Sequence, residues 1–572
     1  MNAHSDQPAP GRRLPARRGV RLSCALLLTV LAAAALAGRA PSAAGPRFEI
    51  SFAASARPDA VTGRVYVAVA KADAVQAPAP SGPPGQASIG PIQQAGPTGV
   101  PLFGKNVEAL APGEPAVIDA SVFGHPLESL KDLPAGDYLV QAFLNVYTRF
   151  PRADGHTVWL HMDQWEGQNW RRSSGNMYSV PLKVRVDPDM TAPIRLVCDQ
   201  VIPPIAPIPD TEYVKRIKFQ SQILSRWWGH PIFIGATVLL PKDYAKHPEA
   251  RYPVNYEQGH FSTQAPGGLG RSGTDPGSSW WVAEETPRFI DVTFQHPSPY
   301  YDDSYAVNSE NNGPYGDAIM QELIPAVENS FRVIREPWAR KLSGGSTGGW
   351  ESLALQVFHP DFFGGTWSSC PDPVDYRCHQ IVNVYSDDNA YWLDRGWTKV
   401  ERPNNHRPDG TINSMMKDEN WFELVAGDRS RSGGQWDIWE ATFSPVGPDG
   451  YPKRIWDKRT GAIDHDVAND WKEHYDLRHI LETQWATLGP KLVGKLHVYV
   501  GDQDSYYLNN AVGMLEAFLV KTTNPAYDGE VKYERLRPHC WGPRGQEQLA
   551  LMAAHIEKYA PRGADLKSWR YR

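Results

Sequence analysis

Gly344-Gly345-Ser346-Thr347-Gly348-Gly349 sets one serine among four glycines, directly after an apolar run that closes at Leu342. A helix-forming segment, Trp350-Glu-Ser-Leu-Ala-Leu-Gln-Val-Phe358, follows at once. A strand that turns this sharply into a helix lifts the serine above the sheet edge, and flanking glycines remove the Cβ atoms that would collide in the strained turn. G-x-S-x-G alone is a weak pattern; strand before and helix after make Ser346 the candidate nucleophile. A serine hydroxyl needs an imidazole to take its proton, and a carboxylate to fix that imidazole's tautomer. In a sheet with such an elbow, acid and then histidine follow the serine in chain order. A strand over 496–500 runs into Gly501-Asp-Gln-Asp504, which makes Asp504 the expected acid and Asp502 its competitor. A strand over 531–536 runs into Arg537-Pro-His-Cys-Trp541, which makes His539 the expected base. His497 falls inside a strand and His555 inside a late helix, and neither position suits a mobile base.

An acyl-transfer intermediate also needs two N–H groups aimed at its oxyanion. Thr347, the residue after the serine, offers one. The second is expected from the loop after the strand over 251–256, as the backbone N–H of His260 or Phe261 beyond Gly259.

These groups need a large scaffold, and 572 residues suffice for several domains. With 41% hydrophobic and 21% charged residues the chain reads as globular. Its formal net charge of −6 gives no basic groove for nucleic acid. Residues 1–37 read as a cleaved signal peptide, with five arginines (Arg12, Arg13, Arg17, Arg18, Arg21), an apolar run from Leu22, and Ala35-Leu36-Ala37 at its end. The run is short for a membrane span, so no stable span is expected, and localisation is expected to be secreted or periplasmic. An uncleaved anchor is the rival reading, and Arg17-Arg18 leaves the export route open between general and twin-arginine secretion. Residues 46–202 show short strands between turn residues, read as an all-β immunoglobulin-like sandwich interrupted by a Pro/Gly-rich loop over 77–98. Pro203, Pro204, Pro207 and Pro209 mark a linker over 203–212. From 213 to 572 strands alternate with helices, which implies an α/β domain with a mostly parallel sheet and helices on both faces. Residues 371–489 read as an insertion over that sheet, with one helix near 470–487. A second helix is expected over 317–331, with Pro325 able to kink it.

Four cysteines lie outside the signal segment: Cys198, Cys370, Cys378 and Cys540. Sequence proximity favours a Cys370 to Cys378 disulfide, leaving Cys198 with Cys540; free buried thiols are the other reading. No cofactor and no required metal are expected. Asp302-Asp303 and Asp464-His465-Asp466 read as solvated acids, and Trp227-Trp228 and Trp280-Trp281 as packing.

Several motifs together carry a family resemblance. Arg251-Tyr-Pro-Val, the Gly259 loop, Asn308-Ser-Glu-Asn-Asn-Gly-Pro-Tyr-Gly-Asp, Glu322-Leu-Ile-Pro, the Ser346 elbow, His359-Pro-Asp-Phe-Phe-Gly, Gly501-Asp-Gln-Asp504 and His539-Cys-Trp541 are among them. Over about residues 213–562 the chain resembles the esterase branch of the α/β-hydrolases that includes enterochelin esterases, feruloyl esterases and esterase D. The resemblance implies hydrolysis of a carboxylic ester, with Ser346, Asp504 and His539 as the triad and a small-molecule or glycan-linked ester as substrate. Two alternatives stay open: acyl transfer to an alcohol by the same triad, and a non-catalytic binding or cell-surface protein with a hydrolase fold. The second draws on Gln258-Gly259, where the family has His-Gly. The amino-terminal domain is a possible contact for oligomers.

Overall fold

The computed structural model describes residues 45–73, 90–264, 266 and 280–571. The expected signal segment and residues 77–89 of the expected loop lie outside the described residues. The described residues between 45 and 201 are strand-rich. In Phe48–Phe52 every second side chain, Phe48, Ile50 and Phe52, is buried, the period-2 pattern of a half-buried strand. This strand pairs in parallel with Ile194–Cys198 and antiparallel with Ala116–Ile118. A second sheet is built around Val61–Lys71 and the long Gly136–Pro151. Phe48, Ile50, Val65, Val67 and Leu144 share one buried cluster.

From residue 214 the chain builds one eight-stranded sheet: β1 (Val214–Ser221), β2 (Ile232–Leu239), β3 (Val254–Gln258), β4 (Ile290–Gln295), β5 (Arg340–Gly345), β6 (Thr366–Ser369), β7 (Leu496–Gly501) and β8 (Glu530–Glu534). Their order is β1-β2-β4-β3-β5-β6-β7-β8. The β1/β2 and β2/β4 pairs are antiparallel, and every later pair is parallel. This is the α/β-hydrolase fold that the resemblance implies. Covered on both faces, a central strand such as β4 is buried at all six positions. Helix α1 (Thr347–Phe358) packs on β5 and β6 and is buried from Thr347 to Val357. The helix expected over 317–331 exists as Tyr315–Ala318 and Ile324–Ser330, joined by a π turn over Ile319–Leu323. Pro325 stands in the first turn of the last piece, where a missing N–H costs little.

Between β6 and β7 lie α2 (Met416–Ala426), α3 (Gln435–Phe443), α4 (His465–Tyr475) and α5 (Leu477–Leu492). The one helix expected near 470–487 is two, broken at Asp476, whose carboxylate caps α5 by accepting the His479 N–H at 2.8 Å. Asp464 caps α4 in the same way, which accounts for the first acid of Asp464-His465-Asp466. Neither α2 nor α3 shows a clean apolar stripe, because α3 is buried at eight of its nine positions, Asp437, Glu440 and Thr442 included. Buried Lys458 serves this polar interior, with Nζ 3.1 Å from Asp437 and 3.5 Å from Glu423. The last carbonyls of α2 are satisfied from the amino-terminal region: Arg64 Nε donates to Val425 O at 2.9 Å and Tyr66 OH to Ala426 O at 2.5 Å.

The cysteines pair differently from the expectation. Cys370 is bonded to Cys540, while Cys198 and Cys378 are free. Closeness in sequence misled because Cys370 leaves the carboxyl end of β6 beside the Ser346 turn, where the chain after β8 also arrives. Cys198 instead sits in the core of the amino-terminal sheets.

Removing the Lys458 charge leaves Glu423 and Asp437 buried without their cation. Lys458→Met is expected to cost about 3–5 kcal/mol in urea unfolding, whereas the same change at exposed Lys521 should alter stability by less than about 0.5 kcal/mol.

Candidate active site

Ser346 stands between β5 and α1 with φ 59° and ψ −123°, a backbone state that a residue with a Cβ rarely adopts. Close approaches surround it: a Cβ at Gly344 would lie 2.1 Å from Gly348 O, and one at Gly348 would lie 2.1 Å from Gln258 O. Glycine at both positions lets β3, β5 and α1 meet. The Ser346 N–H donates to Ser369 O at 3.1 Å and the Asp372 N–H to Ser346 O at 3.1 Å, so the chain leaving β6 braces the turn on both sides.

The structure brings the three expected side chains together. Ser346 Oγ lies 3.0 Å from His539 Nε2, and His539 Nδ1 lies 2.9 Å from Asp504 Oδ2. Asp504 is fully buried just past β7, and its Oδ1 accepts the Tyr506 N–H at 2.9 Å. With one oxygen held by backbone, the other is aimed at the imidazole. Asp502 does not reach the histidine: its Oδ1 accepts the Leu536 N–H at 2.6 Å, which ties down the loop that carries His539. Tyr506 sets its ring edge against the imidazole at 4.9 Å. The Cys370 to Cys540 disulfide joins the residue next to His539 to the β6 end, whose Cys370 Sγ lies 3.2 Å from the Ser346 amide.

Thr347 opens α1, and the first amides of a helix have no partner within it. His260 and Phe261 follow Gly259, whose Cα would lie 2.8 Å from a Cβ at Gly348, so this loop borders the start of α1. The Phe261 ring meets Trp165 edge to face at 5.2 Å, which anchors the loop on the amino-terminal region. His260 Nδ1 lies 3.2 Å from Asp302 and 3.3 Å from Asp303. Burial works against a charged ring there, and the two carboxylates outweigh it, raising His260 well above its ordinary range. The pair Asp302-Asp303 is thus tied to a histidine rather than freely solvated. His497 and His555 lie in β7 and in the helix Gly545–Tyr559, and His555 Nδ1 contacts buried Lys341 Nζ at 2.9 Å.

Ser346 and His539 open onto a cavity of about 390 Å³. Its walls include Phe422, Trp436 and Trp439 from the insertion and Pro97 from the amino-terminal region. One acid in it escaped the sequence reading. Asp372, buried two residues past Cys370, has Oδ1 3.3 Å from Ser346 Oγ. The available signal was its place just beyond the carboxyl end of β6, where α/β sheets present functional groups.

Residues 233–426 match the family described as "Putative esterase". A search of the curated proteins returns no match. Solved structures similar to the chain include a ferulic acid esterase, 14% identical over 57% of this chain and 92% of that one, with a TM-score of 0.33. Another is an S-formylglutathione hydrolase from Agrobacterium tumefaciens, 13% identical over 64% of this chain and 97% of that one, at 0.32. At such scores the overlays add nothing to the strand order described above.

The disulfide closes a loop of 170 residues. The double variant Cys370→Ser/Cys540→Ser is expected to lose about 2–5 kcal/mol of stability. Hydrogen exchange at the amides of residues 536–542 should quicken relative to those of β7.

Proposed function

We propose that the chain, an ester hydrolase in keeping with its match to the esterase family over residues 233–426, works through a Ser346–His539–Asp504 triad and an acyl-enzyme on Ser346. The observation that carries this reading is the continuous relay, 3.0 Å from Ser346 Oγ to His539 Nε2 and 2.9 Å from Nδ1 to Asp504. As Oγ attacks the ester carbonyl carbon, Nε2 takes the hydroxyl proton, and Asp504 stabilises the imidazolium and holds its tautomer. The Thr347 amide, with that of His260 or Phe261, receives the oxyanion of the tetrahedral intermediate. Collapse of the intermediate breaks the bond to the leaving alkoxy oxygen, which takes the proton from Nε2 and departs as alcohol. A water then gives a proton to Nε2 and attacks the acyl carbon; Ser346 leaves with that proton, and the carboxylic acid is freed. An alcohol in place of water would give acyl transfer by the same steps.

The wider reading is of an exported protein whose substrate is a small-molecule or glycan-linked ester. The arginine-rich, apolar start of the chain supports export, and a disulfide is at home in an oxidising compartment. No helix among the described residues is long and apolar enough to cross a membrane. We read the strand-rich amino-terminal region as an immunoglobulin-like sandwich, a reading supported by its two sheets and their shared core.

A fluorophosphonate probe is expected to label Ser346, identified on the modified peptide. Ser346→Ala should lower turnover of 4-nitrophenyl acetate by at least about a thousandfold with unchanged thermal unfolding. Full activity in that variant, or labelling at another residue, overturns the assignment.

A further inference from the structure

Asp372 belongs to the cavity, yet the triad has no step for it. Its Oδ2 is crowded with donors: Tyr305 OH at 2.6 Å, Thr347 Oγ1 at 3.0 Å and Gln435 Nε2 at 3.3 Å. Tyr305 is held in turn by Trp439 Nε1, which donates to its hydroxyl at 2.6 Å. These contacts fix the carboxylate so that Oδ1 faces Ser346 Oγ at 3.3 Å.

That geometry sets a problem for the reaction. A serine hydroxyl has one proton, and attack requires that proton to point at His539, which leaves Oδ1 without the serine as donor. A buried carboxylate beside the oxygen on which the tetrahedral intermediate forms also opposes the negative charge building there. Two imidazoles in the walls offset it only in part: His539 is the proton acceptor itself, and His260 is shared among Asp302, Asp303 and Asp372. No described residue lining the cavity is lysine or arginine, whereas Glu419 and Glu423 line it too. Glu423 is already matched by Lys458, and His260 faces two carboxylates of its own. Two further lining groups, Gln380 Oε1 and Asn404 Oδ1, are buried acceptors with no donor. The Asn404 amide nitrogen is engaged elsewhere, donating to Ser414 Oγ at 3.4 Å and serving the Glu419 carboxylate. The cavity therefore presents carboxylates and free acceptors in excess of its imidazoles, with no lysine or arginine among the described residues that line it.

We propose that the site selects α-aminoacyl esters, whose ammonium group would occupy the gap between Asp372 Oδ1 and the acyl carbon and give that carboxylate oxygen a cationic donor. This rests on Ser346 being the nucleophile. In a tetrahedral intermediate the α-nitrogen lies about 2.4 Å from the attacked carbon and so roughly 3 Å from the serine oxygen. A charge-assisted hydrogen bond of about 2.8 Å to Oδ1 then closes a triangle whose third side is the observed 3.3 Å. An amine further along the acyl chain would sit beyond this reach. The ammonium both donates to Oδ1 and offsets the carboxylate beside the oxyanion, while Phe422, Trp436 and Trp439 leave an apolar wall for the amino-acid side chain. Burial raises the Asp372 carboxyl above its ordinary range, which suits an acid whose counter-ion arrives with the substrate.

Three methyl esters of one shape test this at about pH 6.5, where an α-amino group is protonated. They are those of phenylalanine, phenyllactate and 3-phenylpropanoate, with ammonium, hydroxyl and hydrogen on the α-carbon. The kcat/KM of the amino ester is expected to exceed that of the 3-phenylpropanoate ester by roughly tenfold to a hundredfold, the worth of a hydrogen bond to a charged group. Asp372→Asn should bring that ratio near one. Equal kcat/KM for all three esters, a phenyllactate ester as good as the amino ester, or a ratio that survives Asp372→Asn overturns the proposal. Calorimetric titration of Ser346→Ala with phenylalaninamide and 3-phenylpropanamide separates the two readings. Tighter binding of the amino amide without turnover of any ester by the unaltered enzyme would sink the serine mechanism and keep the ammonium site. Equal turnover with equal amide binding would do the reverse.

Discussion

A serine held at φ 59° can persist only if its neighbours leave it no alternative, and strain of this kind costs on the order of 1–3 kcal/mol. Here the restraint comes from three directions. The glycines at 344 and 348 let the backbone of α1 and the end of β3 close in until no side chain would fit between them. The chain beyond β6 hydrogen-bonds the Ser346 amide and carbonyl from both sides. Helix α1, buried along eleven consecutive residues, keeps the turn from relaxing by unwinding. The same packing directs the hydroxyl at the imidazole and leaves the Thr347 amide at an open helix start, so one strained residue orients both its own hydroxyl and an N–H beside it.

The rest of the chain encloses that point. The insertion between β6 and β7 supplies most of the cavity wall, and its helix α2 ends on groups from the amino-terminal sheets, Arg64 and Tyr66. Orphan carbonyls at a helix end require donors, and here they come from more than 350 residues away in sequence. Phe261 extends the same dependence to the loop beside α1 through Trp165. The amino-terminal region therefore bears on the shape of the cavity.

What the sequence disclosed followed from locality. Ser346, Asp504 and His539 lie one, three and five residues past the ends of β5, β7 and β8, and strand ends of a parallel sheet meet at one rim, so their convergence was legible from chain order. Asp504 was expected over Asp502, and the geometry places Asp504 on the imidazole; two residues apart on one loop, they differ in which backbone amides they meet. Asp372 was hidden: nothing in Cys-Pro-Asp-Pro says that β6 ends against the serine. Helices α2 and α3 were missed because period reading needs a wet face and an apolar one: α3 is buried almost all round, and the buried positions of α2 include the polar Asn420 and Glu423. The disulfide was misjudged by weighing separation along the chain over adjacency of strand ends.

That disulfide also has a topological effect. The bond between Cys370 and Cys540 turns the whole insertion, β7, β8 and Asp504 into a covalent ring. A protease that nicks the backbone at any point from residue 371 to residue 538 opens the ring without dividing the molecule. The piece bearing Ser346 and the piece bearing His539 stay linked through sulfur, so a single cut in the outer loops does not free either half to diffuse away.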